Sequence, residues 1–176
     1  MEALIKRALE AGFTNAVPLH VSTLALRTEV RDMCAANRCR LYGKSWMCPP
    51  ACGSLEELTA RMSGYTTGLI VQTTAKMEDD FDYEVMRSAG DSQKRKFLLF
   101  ARALRAEYPE LFALTSGGCD LCEACGYPDT PCRHPGEAMP SMEAFGLVVS
   151  DVCAANGIPY YYGPQTITYT GCYLVT

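Results

Sequence analysis

Apolar positions recur at helical spacing in four stretches of the chain. Residues 2–11 place Leu4, Ile5, Ala8 and Leu9 on one face, and Gly12 ends the pattern. A second helix has the signature of a capping box: Ser54 as N-cap, Glu57 three residues on, Leu55, Leu58 and Met62 as its stripe, then Gly64. A third carries Phe97, Phe100, Ala101, Leu104 and Tyr108 and must end near Pro109, with Lys94, Arg95 and Lys96 as its solvated opening. The last starts at Ser141, buries Met142, Phe145, Val148, Val149 and Val152, and stops at Gly157. Strand-like runs cover residues 67–74, 111–115, 158–162 and 166–175, the last two joined by a turn at Gly163-Pro164. The alternation predicts one α/β domain over residues 1–176. The expected architecture is a mixed sheet with flanking helices, and the final hairpin supplies the antiparallel part.

Composition narrows the class. With 48% apolar and 20% charged residues, the 176-residue chain has the balance of a folded domain, which excludes wholesale disorder. No apolar run reaches the roughly 20 residues of a membrane-spanning helix, and charge in the first residues argues against a secretory leader. Twenty acidic residues against 16 basic ones, net −4, speak against nucleic acid as a partner. These features place the chain in the cytoplasm, and there its ten cysteines and two histidines point to metal or redox chemistry rather than disulfides.

Eight of the cysteines form two quartets. The first is Cys34-x4-Cys39-x8-Cys48-Pro-Pro-x-Cys52, and the second is Cys119-x2-Cys122-x2-Cys125-x6-Cys132. Each supplies the four thiolates that one tetrahedral metal or one [4Fe–4S] cube requires. Zinc ribbons pair two separated Cys-x2-Cys knuckles. Three cysteines in immediate succession instead suit a chain wrapped around a cubane, each sulfur on a different iron. Prolines after Cys48 and around Cys132 stiffen both loops. The spacing therefore favours two [4Fe–4S] clusters, with zinc as the alternative. Arg27, Arg31, Arg38, Arg40 and Lys44 crowd the first quartet, whereas signs are mixed around the second, so the first centre is expected at the higher potential.

The stretch Cys39-Arg-Leu-Tyr-Gly-Lys-Ser-Trp-Met-Cys48-Pro-Pro-Ala-Cys52 resembles the signature of a family of small cysteine-rich predicted metal-binding proteins of anaerobic bacteria and archaea, the domain of unknown function 2284. Cys119-x2-Cys122-x2-Cys125, then Cys132-Arg-His-Pro, then Ser141-Met-Glu-Ala-Phe-Gly146 is similar to its second block, and the likeness spans roughly residues 34–175. It implies iron–sulfur or other metal binding by the eight cysteines and an anaerobic host. It brings no reaction with it.

The remaining candidates read mainly as structural. Cys153 falls on the apolar side of the last helix and Cys172 in the final strand, both as inert thiols. His134 sits beside Cys132 as a neighbour of the centre rather than a ligand, and His20 as a structural residue. Tyr42 and Trp46 are expected to shield the first centre, and Tyr160, Tyr161 and Tyr162 to form a half-buried strand. Radical S-adenosylmethionine spacing, a dinucleotide fingerprint, a P-loop and a nucleophile elbow are all missing from the sequence. The reading is an electron carrier between redox partner proteins rather than a catalyst. A zinc-binding accessory module and a small redox enzyme with one open-site cluster stand as alternatives.

Overall fold

Ten-residue β2 (Thr67–Lys76) and β4 (Thr166–Val175) form the antiparallel spine of a four-stranded sheet, in a computed structural model that describes residues 1–176. β1 (Asn15–His20) adds to the free edge of β2, and β3 (Phe112–Leu114) to that of β4, giving the order β1-β2-β4-β3. Every pairing is antiparallel, so the mixed sheet expected from the sequence is not formed. The only parallel element is an isolated bridge from Thr115 to Ser141.

Strand alternation sends each spine strand into two cores. Leu69, Val71, Tyr173 and Val175 face α1 (Glu2–Glu10) and α4 (Tyr83–Arg105), where they meet Leu4, Ala8, Phe97 and Leu104. Tyr173 stacks on Phe97 with ring centroids 4.3 Å apart, and its hydroxyl donates to the Phe97 carbonyl at 2.9 Å. A Cβ at Gly171 would stand 2.6 Å from the Phe97 ring, so this position must stay bare for α4 to seat. Ile70, Cys172 and Leu174 point the other way. There they meet α3 (Leu55–Met62), α5 (Val149–Ala155) and the turn-rich segment 142–147. The helix α2 (Thr28–Ala35) precedes α3 at the margin of this second core, with Val30 buried.

The capping box at Ser54 forms as read, and α1, β2 and β4 occupy their expected positions. Other boundaries move. The third predicted helix begins at Tyr83, capped by Asp82, whose Oδ1 accepts from the Val85 amide at 3.0 Å. Its first half buries only Ala89 and Gln93, too little for an apolar stripe. Lys94 to Lys96 therefore lie mid-helix, not at a solvated end: Lys94 pairs with Asp120 at 2.6 Å and Lys96 donates to the Gly12 carbonyl at 2.8 Å. The last predicted helix is cut to α5 because Gly146, at φ +87°, breaks the segment after Ser141 into turns.

Residues 158–162 form no strand, and the final hairpin is absent. Side chains pin this segment instead. The Gln72 amide donates to the Pro159 carbonyl at 2.9 Å, and the Tyr162 hydroxyl donates to Gln72 Oε1 at 2.7 Å. The three tyrosines stay exposed rather than half-buried in a sheet. Strand β1 and helix α2 have no counterpart in the pattern reading. Pro18 masks β1, and an edge strand tolerates it because only one side of β1 is paired.

Candidate metal centres

The first quartet is strung between two helices. Cys34 lies in the last turn of α2, and Cys52 lies two residues before the N-cap of α3. Between them Asn37 and Arg40 take left-handed backbone angles, and Asn37 Oδ1 accepts from the Tyr42 amide at 3.1 Å, winding the loop inward. The Cys52 amide donates to the Cys48 carbonyl at 3.1 Å. At the far end Glu57 Oε2 accepts from the Ser54 amide at 2.7 Å while Ser54 Oγ accepts from the Glu57 amide at 3.2 Å, so α3 starts immediately beyond the last cysteine.

Arg31 locks this loop onto segment 141–146. Its guanidinium donates to the carbonyls of Ala144 and Gly53, both at 2.7 Å, and lies 3.5 Å from Cys52 Sγ. Cys34, Cys39 and Cys48 line a cavity of about 200 Å³, closed by Tyr42 and by Gly117-Gly118 of the neighbouring loop. Burial, offset in part by a hydrogen bond from Ser45 and reinforced by charge on Cys39, Cys52 and Cys34, pushes the Cys48 thiol up to about 11. Burial also raises Cys34 and Cys52, partly offset at both by Arg31. The four thiols thus lie within electrostatic reach of one another.

The second quartet sits in a long excursion with no regular structure. Its two ends are clamped where the Thr115 amide donates to the Pro140 carbonyl at 2.9 Å and the Met142 amide to the Thr115 carbonyl at 3.0 Å. All four cysteines line one cavity of about 400 Å³, together with Arg40, Lys44 and Trp46 of the first loop and with His134. Burial pushes Cys119 up, reinforced by Asp120, Cys132 and Cys125. At Cys125 burial is outweighed: the amides of Trp46 and Tyr127, the Ser45 hydroxyl and Arg133 bring the thiol below its ordinary value. These donors favour a thiolate there.

The two cavities adjoin. Leu41 lines both, and a side chain at Gly118 would collide with it, so the bare backbone of the second loop lets the first loop approach. Trp46 crosses the junction: its indole N–H donates to the Thr130 carbonyl at 3.0 Å and its ring meets Tyr127 edge-on at 4.8 Å. Trp46 therefore covers the second quartet, not the first as its sequence position suggested, while Tyr42 does border the first. The cations redistribute likewise. Only Arg31 contacts the first quartet; Arg40 and Lys44 line the second, and Arg27 pairs with Asp151 at 3.3 Å. The expected ranking of potentials loses its basis.

Neither quartet is drawn to the spacing of a single bound ion: no three His, Cys, Asp or Glu side chains are arranged to hold one. Cys153 and Cys172 lie fully buried in the core, away from both quartets, with Cys172 pushed up to about 12 by burial. His20 is exposed at the end of β1, where its amide donates to Asn156 Oδ1 at 2.9 Å. Sequence reasoning set Gly117-Gly118 and segment 141–146 beside the second quartet and missed that both border the first. The glycine pair just before Cys119 was the signal for close backbone approach.

No helix is long and apolar enough to cross a membrane. No curated protein and no solved structure matches the chain significantly. A family model described as a predicted metal-binding protein matches residues 17–175, a span that takes in both quartets, α2 to α5 and the whole sheet except the first two residues of β1. The chain belongs to this family of predicted metal-binding proteins, DUF2284.

Proposed function

We propose that the chain carries two [4Fe–4S] clusters, one on Cys34, Cys39, Cys48 and Cys52 and one on Cys119, Cys122, Cys125 and Cys132, and passes single electrons between redox partner proteins. The observation that carries this reading is the grouping of the thiols. Cys34, Cys39 and Cys48 line one cavity with Cys52 within electrostatic reach of them, all four thiols of the second quartet line another, and the two cavities share a wall at Leu41. Four thiols grouped in this way suit a centre whose ligands attach to four different irons. Such clusters supply one-electron oxidation and reduction when bound.

The protein's own groups set the conditions. Arg31 at the first quartet offsets thiolate charge, as do Arg133 and the Trp46 and Tyr127 amides at the second. Trp46 restricts water around the second quartet. Cys39 and Cys125 are exposed, which brings one edge of each centre within close approach of a partner. The same exposure leaves both edges open to oxygen, in keeping with an anaerobic cytoplasm.

The test is iron, acid-labile sulfide and zinc per chain on anaerobically purified protein, with absorption spectra before and after dithionite. About eight iron and eight sulfide with a band near 400 nm that bleaches are expected. One or two zinc ions per chain without a visible band would replace this reading with a zinc-binding accessory module. Replacing Cys34 with serine separates carrier from enzyme. Loss of a whole cluster supports four-cysteine ligation, whereas an intact cluster supports an open iron site.

A further inference from the structure

Between the two quartets and the C-terminal ends of α3 and α4 lies a third cavity, of about 500 Å³. Eleven of the 17 residues that line it are hydrophobic, Met47, Leu111, Phe112, Met139 and Phe145 among them, and no aspartate or glutamate does. Two arginines do, Arg61 from the last turn of α3 and Arg105 from the last turn of α4. Neither forms an ion pair, although the chain carries more acidic than basic residues. The charged groove on the far side of the second loop provides the contrast. There Lys94 and Arg95 face Asp91, Asp120 and Glu137, and Lys94 is paired with Asp120 at 2.6 Å.

Arg61 is also held in place. Its guanidinium lies over the Phe112 ring, 3.9 Å from the centroid, and reaches the Tyr65 hydroxyl; stacking engages the face of the fork and leaves its other in-plane N–H groups to donate. Unpaired guanidiniums beside an apolar chamber are suited to an anionic head on an apolar body: the fork binds the head and the walls accept the remainder. Cys52 of the first quartet and Cys132 of the second both border the chamber, so an occupant would touch a ligand position of each.

We infer that this cavity binds a small organic anion, with a carboxylate or phosphate head on Arg61 and Arg105 and a flat apolar body against Phe112, Phe145 and Met139. The inference concerns binding alone and stands whether the quartets hold iron–sulfur clusters or zinc.

Calorimetric titration of the anaerobically purified full chain tests it, with metal content assayed before and after. The probes are 2-naphthoate, 2-naphthyl phosphate and the neutral 2-naphthamide. At least one anion should bind about tenfold or more tightly than the amide, and the better anion identifies the head group. Arg61→Gln and Arg105→Gln should each weaken that anion about tenfold or more, with little effect on the amide. Arg61→Lys should recover only part of the loss, since the amine keeps the charge but not the stacked fork. Arg87→Gln, on the exposed surface of α4, serves as the control and should change nothing.

Equal binding of anion and amide, or no binding by chain that retains its metal, overturns the inference. So do glutamine variants that alter the metal centres while leaving anion binding untouched, because the arginines would then serve only to balance thiolate charge.

Discussion

The two cysteine loops bring the same number of thiols together by different means. The first is built into the fold: α2 and α3 hold its ends, Arg31 ties it to segment 141–146, and Cys48 is buried. The second has no helix or strand of its own between its clamp at Thr115 and Pro140. It is steadied from outside, by Trp46 of the first loop and by ion pairs from α4, Lys94 to Asp120 at 2.6 Å and Arg102 to Glu137 at 2.6 Å. A loop framed by helices can hold its thiols near one another before metal arrives. A loop borrowed from its neighbours depends more on the metal itself for its shape.

This contrast can be broken most directly by removing one thiol from each loop. Cys48→Ser and Cys125→Ser should each cut metal per chain by about half if each quartet holds its own centre. Only Cys48→Ser should also destabilise the metal-free fold, by roughly 1–3 kcal/mol, because it buries a hydroxyl where a thiol packed. Trp46, the single tryptophan, borders the second cavity, so its fluorescence should respond to metal in Cys48→Ser protein and fall silent in Cys125→Ser. Equal destabilisation by the two variants would remove the distinction between the loops.

Thiol chemistry sharpens it. In metal-free protein the Cys48 thiol, near 11, carries about a hundredfold less thiolate at neutral pH than an ordinary cysteine, whereas Cys125 carries more. Among the eight quartet cysteines, iodoacetamide should therefore label Cys125 first and Cys48 last, with fully buried Cys153 and Cys172 slower still. As pH rises, the rate at Cys125 should level off earliest, and mass spectrometry of timed digests reads the order. Metal uptake must displace the proton from Cys48, so loading of the first quartet should weaken more steeply than that of the second as pH falls.

Arg31→Gln comes next in size. It removes charge-assisted bonds to two carbonyls, and about 2–3 kcal/mol of stability should go with them by denaturant titration. If the quartets hold the proposed clusters, it should also lower the potential of the first centre and leave the second unchanged. A shift in both centres would mean that the loops share one electrostatic environment.

The smallest effect lies at the exit of the first loop. Ser54→Ala should cost about 1 kcal/mol, because the Glu57 amide loses its cap. The Ser54 amide and hydroxyl hold the Glu57 carboxyl below its ordinary value. Its contribution is therefore present above the ordinary carboxylate range near 4 and is lost as pH falls through the depressed folded value. Glu57→Gln should flatten that part of the acid-melting profile.

Much of the scaffold was legible because it follows local rules. The capping box at Ser54, the stripe of α1 and the alternation in β4 each depend on neighbours within a turn or two. What escaped depends on distant partners. The polar half of α4 persists because its N-cap and its docked C-terminal half carry it, and residues 158–162 stay out of the sheet because Gln72 holds them by side chain. At the site, the quartets and the residue types around them were visible as spacings. The assignment of neighbours was not, since Trp46, Arg40 and Lys44 serve the quartet on the other loop.

By itself, then, the sequence determined that eight cysteines gather in two short loops, because closely spaced residues of one loop cannot stray far from one another. It also determined the two apolar cores, because strand alternation and helical stripes are short-range properties. The tertiary structure decided that the two loops lie side by side, that the sheet is antiparallel, and that a chamber with two unpaired arginines opens between the quartets. Those outcomes depend on packing between segments as far apart as Leu41 and Gly118, which no local pattern encodes.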